Sequence, residues 1–314
     1  MQPLSFLHPL AALILSPLLS GIINRTKAFF AGRKGQPLLQ GYYDLARLFQ
    51  KSAVYSRTTS WVFRAGPLVG LASAITALLV LPIGGGAACF SFTGDMIFLI
   101  YLLGVMRFFT VTAALDTGSA FEGMGASREV QFSVLAEPAL LLSLLAMGEI
   151  GKSAVDVGTF LPRLSLSGIY ADLSFSTWTH SGTVLLLAAG AFSIVLLTEN
   201  ARIPVDDPNT HLELTMIHEV MVLDHSGPDF AMILYGSAIK LWIFGALLAG
   251  ILVPVRTGNF IVDSAATLFG MFLLAVGIGV VESSMARLRL LRVPQLLSGA
   301  GVLAILAIVL VLKG

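Results

Sequence analysis

The chain has 314 residues, of which 56% are hydrophobic and 12% charged, with a formal net charge of +1. Soluble domains carry about 25% charged residues, so composition excludes an ordinary soluble protein, and the charge balance gives no argument for nucleic-acid binding. One cysteine and five histidines fall short of an iron–sulfur cluster, which takes about four thiolates, and the histidines lie in loops or near span ends rather than paired inside spans as a haem would want.

Eight runs reach the length that carries a helix across a bilayer, about 20 residues. They are expected near 4–23, 64–82, 95–115, 130–150, 182–198, 232–254, 262–281 and 293–312. The fold class is therefore all-α, a polytopic membrane protein forming a single domain over 1–314. No basic residue precedes Arg25, so the first span is expected to be retained rather than cut as a signal peptide.

The first loop, about 25–63, contains Leu38, Tyr42, Leu45 and Phe49 at helical spacing, with Asp44, Arg47 and Lys51 off that row. This predicts an amphipathic helix at the membrane interface. Gly66 and Gly70 form a small-xxx-small pair that lets helices approach closely. Cys89 follows a glycine-rich turn and reads as a small apolar filler.

The third span carries Arg107 and leads to a loop, about 116–129, with Asp116, Glu122, Arg128 and Glu129. Gly118, Gly123 and Gly125 are expected to make that loop flexible or tightly turned. Glu137 then sits inside the fourth span, before Pro138, which loosens the local helix. Ionisable groups at membrane depth are costly and default to functional hypotheses, so Glu137 is a candidate proton relay. Glu129 and Glu137 are eight apart, about two turns, and share a helical face. Arg107 and Lys240, the latter in the sixth span, are candidate counter-charges. Glu149 and Glu282 lie near span ends and are expected to be solvated.

From Glu199 to Asp229 the chain carries seven acidic residues, three histidines and one arginine. His211, His218 and His225 are seven apart, too far along a helix for one metal ion. His218-Glu219 opens like a zinc-protease motif, but position 222 is Val, so no metal site is expected. The run Gly299 to Ala304 fits a dinucleotide pattern inside an apolar span, where it has no strand before it. No internal repeat argues for an inverted-repeat transporter.

Lys and Arg placement sets orientation. Thirteen of nineteen basic residues, counting Arg64 at the edge of the first loop, fall in the loops at about 25–63, 116–129, 199–231 and 282–292. Those loops, including the acidic one, are expected in the cytoplasm, with both termini outside.

Three segments carry a resemblance: Gly35 to Asp44, Ser127-Arg128-Glu129 through Glu137-Pro138, and Glu199-Asn200-Ala201-Arg202-Ile203-Pro204-Val205-Asp206-Asp207-Pro208. The chain resembles the membrane subunit of respiratory complex I known in mitochondria as subunit 1. The run from Pro204 to Gly227 is similar to the hydrogenase-4 and formate hydrogenlyase branch.

The resemblance implies a non-catalytic coupling subunit of an oxidoreductase complex in a bacterial or archaeal cytoplasmic membrane. Its partners would be hydrogenase small and large subunits, with their nickel–iron and iron–sulfur centres, and antiporter-like membrane subunits. It implies a proton path through Glu137, Glu129, Arg107, Lys240 and Glu199. It also implies contact with a peripheral arm through Arg202, Asp206, Asp207, Glu213, Glu219 and Asp224. No cofactor is expected on this chain itself, a quinone excepted. The alternatives are a quinone-reducing respiratory subunit and a stand-alone ion transporter.

Overall fold

The computed structural model describes residues 3–150, 164–206 and 216–313. Among these residues the chain is helical, with no strand. Eight of the helices are long and apolar enough to cross a membrane. In chain order they are α1 (Leu7–Phe30), α3 (Trp61–Val80), α4 (Asp95–Asp116), α5 (Ala120–Ile150), α7 (Phe175–Glu199), α8 (Gly227–Leu252), α9 (Phe260–Ser284) and α10 (Val293–Lys313). Two shorter helices, α2 (Gln40–Phe49) and α6 (Leu166–Asp172), lie between them. Asp207 and Glu213, expected to contact a peripheral arm, and His211 lie outside the described residues.

Polar residues fix where the helices begin. The Ser60 side chain accepts from Val62 N–H, while its own N–H donates to Asp116 at 2.6 Å, tying the start of α3 to the end of α4. Ser174 and Thr177 form a reciprocal capping box at α7, and Asn259 caps α9. Such caps satisfy backbone donors that have no partner within the helix.

α8 is the most enclosed span and packs against α1, α3, α7 and α9. Its Trp242 and Phe244 lie in the core with Phe192 of α7. In lipid, helix association depends on close packing rather than on a hydrophobic drive between helices. Gly66 shows this: a Cβ there would lie 2.9 Å from Ala113 Cβ and 3.2 Å from Phe109 O on α4.

The span near 130–150 starts ten residues early. α5 begins at Ala120, so the expected loop at 116–129 is mostly helix, and Gly123 and Gly125 are helical rather than flexible. The charges that lowered the local hydropathy point inward: Glu122 and Glu129 are both buried. α7 and α8 also begin earlier than expected, at Phe175 and Gly227, where Ser, Thr, Pro and Asp occupy the first turns. α2 occupies the helical segment expected in the first loop, and Leu38, Leu39, Tyr43 and Phe49 in or just before it are exposed.

Candidate functional site

Four helices bring charge to one place. Arg107 comes from α4, Glu129 and Glu137 from α5, Glu199 from the last turn of α7, and Lys240 from α8. A guanidinium offers five donors in a planar fork, and this one serves three carboxylates. Its Nε lies 3.2 Å from Glu129 Oε1 and its Nη2 2.5 Å from Glu199 Oε1, while Nη1 donates to Glu137 Oε1. Lys240 Nζ is 2.7 Å from Glu199 Oε2. The eight-residue spacing does put Glu129 and Glu137 on one face, with Arg107 between them.

Arg107, Glu129, Glu199 and Lys240 are buried. Removing one partner of a buried ion pair leaves an uncompensated charge and costs about 3–5 kcal/mol. Glu137 differs: its side chain is 42% exposed near the middle of α5.

The acidic loop reaches this cluster through His218. His218 Nε2 is 3.0 Å from Glu129 Oε2, and Nδ1 is 3.7 Å from Asp206 Oδ2. Nδ1 lies beyond hydrogen-bond distance and neither nitrogen has a hydrogen-bond partner, so these are contacts of charge. Burial works against a charged ring, but Glu129 and Asp206 outweigh it and push His218 up to about 9. Asp206 in turn accepts from Ile217 and His218 N–H at 3.1 and 3.2 Å and from Arg287 at 2.8 Å. Burial raises its pKa, yet His218 and Arg287 together hold it below the ordinary carboxylate value.

Arg202 and Asp206, expected to face a partner, are instead buried and hold the loop to the bundle. Glu282 is not solvated as expected. Its side chain is fully enclosed, 2.8 Å from Lys27 of α1 and 3.5 Å from Arg202. Glu219 is half-buried, and Asp224 is exposed.

The roles of His218, Glu282, Lys27 and Arg287 were missed in the sequence. Three are basic or acidic groups at span ends, where hydropathy draws no distinction between solvated and paired. His218 belongs to a short irregular stretch, Met216 to Val222, where no periodicity says which way a side chain points. Among the described residues no group of three His, Cys, Asp or Glu is arranged to hold a metal ion.

A cavity of about 480 Å³ opens against the cluster. Arg107, Glu129, Glu199, His218 and Lys240 line its polar end. Leu71, Met106, Met221, Phe230 and Leu241 contribute apolar wall. A separate void of about 10 Å³ touches Arg107, Glu137 and Glu199. Its remaining walls are Ile100, Leu103, Leu140 and Phe244.

His225 stacks on Phe63, with ring centroids 3.9 Å apart and planes 8° from parallel. Burial pulls its pKa down to about 4, so it is neutral at ordinary pH.

The NADH dehydrogenase family matches residues 4–313. Formate hydrogenlyase subunit 4 of Escherichia coli (strain K12) is 32% identical over 93% of this chain and 94% of that protein. Hydrogenase-4 component C of the same organism is 31% identical over 90% of this chain and 86% of that protein. In structure, the chain is similar to one in the membrane-bound sulfane sulfur reductase, an archaeal respiratory membrane complex, with a TM-score of 0.79 and 98% of each chain covered. At 21% identity that likeness shows the fold alone. With the family matched over nearly its whole length and two relatives above 30% identity, the chain belongs to the NADH dehydrogenase family of membrane proteins, which includes subunit 1 of complex I.

Proposed function

We propose that the chain is the membrane subunit of a hydrogenase-type complex, holding a peripheral redox module at its charged end and coupling electron transfer to the movement of protons or sodium ions. The observation that carries this reading is Arg107 shared among Glu129, Glu137 and Glu199, with Lys240 on Glu199. Two cations against three carboxylates leave one excess negative charge, which a moving cation can occupy. A charge set of this kind inside a membrane protein marks ion traffic more often than structure.

The relatives named formate hydrogenlyase subunit 4 and hydrogenase-4 component C supply the kind of complex. The excess of Lys and Arg in the loops at the charged end supports a cytoplasmic position for it. Glu137, partly exposed on the face that also displays Tyr101, Val130 and Val134, is costly to leave against lipid. In this reading a second, antiporter-like membrane subunit covers that face and receives the ion.

The test is purification of the tagged chain in mild detergent. A hydrogenase small subunit should travel with it, and its repeated absence would remove the reading. Within the intact complex, Glu137→Gln should abolish most ion translocation while leaving yield unchanged. Pumping at wild-type stoichiometry in that variant would contradict the relay.

A second reading is favoured by the 480 Å³ cavity, whose size falls among small-molecule sites of about 300–1,000 Å³. Its apolar walls and charged end suit a quinone. Quinone-dependent turnover, blocked by a larger side chain at Gly70 on the cavity wall, would support it. Full activity without quinone would not.

A further inference from the structure

The cavity, the Arg107 cluster and the acidic loop share one titratable side chain, and it is the one the ion-path reading has not used. His218 stands where the loop meets the membrane helices. Glu129 of α5 faces its Nε2 and Asp206 of the loop faces its Nδ1. Arg287, after α9, holds Asp206 from the other side at 2.8 Å. Arg107 of α4 lies beyond Glu129 at 3.2 Å, Lys240 of α8 adds a further positive charge, and Glu219 is its neighbour in sequence.

We propose that His218 is the proton-transferring link between the cytosolic loop and the carboxylates inside the membrane. This rests on the ion-path reading and narrows the ion to a proton. The ring rests as an imidazolium. Its Nε2–H bond breaks as a Glu129 Oε2–H bond forms, and a neutral ring protonated at Nδ1 remains. Rotation of that ring brings Nε2 to water in the cavity, where it takes up one proton and becomes the imidazolium again. No electron moves, and water is the only other reactant.

Three observations support this sequence. The ring lies between two carboxylates on different elements, 3.0 Å from Glu129 and 3.7 Å from Asp206. It lines the cavity and its side chain is 24% exposed, with both nitrogens turned inward toward the carboxylates. The charge count agrees as well: an imidazolium neutralises the excess negative charge left by Glu129, Glu137 and Glu199 against Arg107 and Lys240, and once its proton has passed to Glu129 and onward that charge is restored for the next proton.

The positioning is built by packing. Gly125 of α5 lets the Glu219–Val222 turn approach so closely that a Cβ there would meet Val220 Cγ1 at 2.3 Å and Ile217 O at 2.8 Å. Asp206 draws Ile217 and His218 N–H into place. His218 is thereby set over Glu129 by contacts other than its own ring.

The test uses the intact complex in proteoliposomes, turned over with whichever of reduced ferredoxin, formate or hydrogen the wild type accepts. Proton movement is read with a pH-sensitive dye. His218→Lys keeps a positive charge between Glu129 and Asp206 but binds its proton more tightly than the raised ring and has no second nitrogen to turn to the cavity. It should assemble normally and lose proton transport by about a hundredfold. His218→Gln should lose transport as well, and any loss of yield in it alone reports the structural part of the ion pairs.

In the full chain in lipid nanodiscs, nitrogen-15 spectra of labelled histidine should show the His218 pKa falling by about one unit or more, tenfold in proton affinity, in Glu129→Gln. Wild-type transport in His218→Lys, or a titration indifferent to Glu129, overturns the proposal. Transport lost in Glu137→Gln but kept in His218→Lys sinks this link alone. Transport kept in both sinks the ion path itself.

Discussion

Acidic residues at the two ends of the bundle show two different uses. At the end where α4 and α9 begin, Asp95 and Asp263 satisfy nearby backbone and hydroxyl groups. Asp95 accepts from Leu166 N–H at 2.6 Å and from Ser165 Oγ at 3.1 Å, fixing the start of α6. Asp263 accepts from the N–H and hydroxyl of Thr257 at 2.8 and 2.7 Å. At the other end, Glu129, Glu137 and Glu199 reach across to cations on other helices and border open space. Carboxylates spent on backbone donors hold a shape. Carboxylates set against movable charge, beside a cavity, can change their proton or cation.

The largest effect should come from breaking the second kind. Arg107→Ala leaves three carboxylates facing one another and should cost about 3–5 kcal/mol. Thermal unfolding and complex yield should both collapse, and a chain that assembles normally without Arg107 would mean that the carboxylates are already neutral.

A smaller effect is expected from pH. His218 is raised to about 9 from a free value near 6.5, so its hold on α5 is complete below about 6.5 and is lost as pH rises through about 9. Asp206 is lowered, so its contribution is present above the ordinary carboxylate value and lost as pH falls below it. Protection factors for hydrogen exchange across 216–224, taken relative to the intrinsic rate at each pH, should therefore be largest in mildly acidic solution and fall on either side. Protection that grows steadily toward pH 10 would contradict the His218 assignment.

The smallest effect belongs to the other end. Asp95→Ala removes two hydrogen bonds and should cost about 2 kcal/mol, read as a shift in thermal unfolding. Ion transport per electron should not change. A change in coupling there would erase the distinction between the two ends.

Much of the fold was legible because a bilayer imposes length and hydropathy on each span. That signal failed where charge turned inward. Glu122, Arg128 and Glu129 made the start of α5 look like a loop, although two of them are buried against the Glu219–Val222 turn and the cluster. In the site, Arg107, Glu137 and Lys240 stood out because a charge inside an apolar span is conspicuous. Glu282 did not, since a carboxylate at a helix end looks the same whether it meets water or, as here, Lys27 and Arg202. His218 was hidden for a different reason: its position is set by Asp206 and Gly125, residues far from it in sequence.

The void between Glu199 and Glu137 has a further consequence. At about 10 Å³ it is at the threshold for admitting one water molecule, and four hydrocarbon side chains face it. Empty, such a gap is an insulator; filled, it completes a one-molecule wire. In the proposed ion path such a gap would conduct only while a water molecule occupies it, which would keep the membrane's stored voltage from draining through this chain between turnovers.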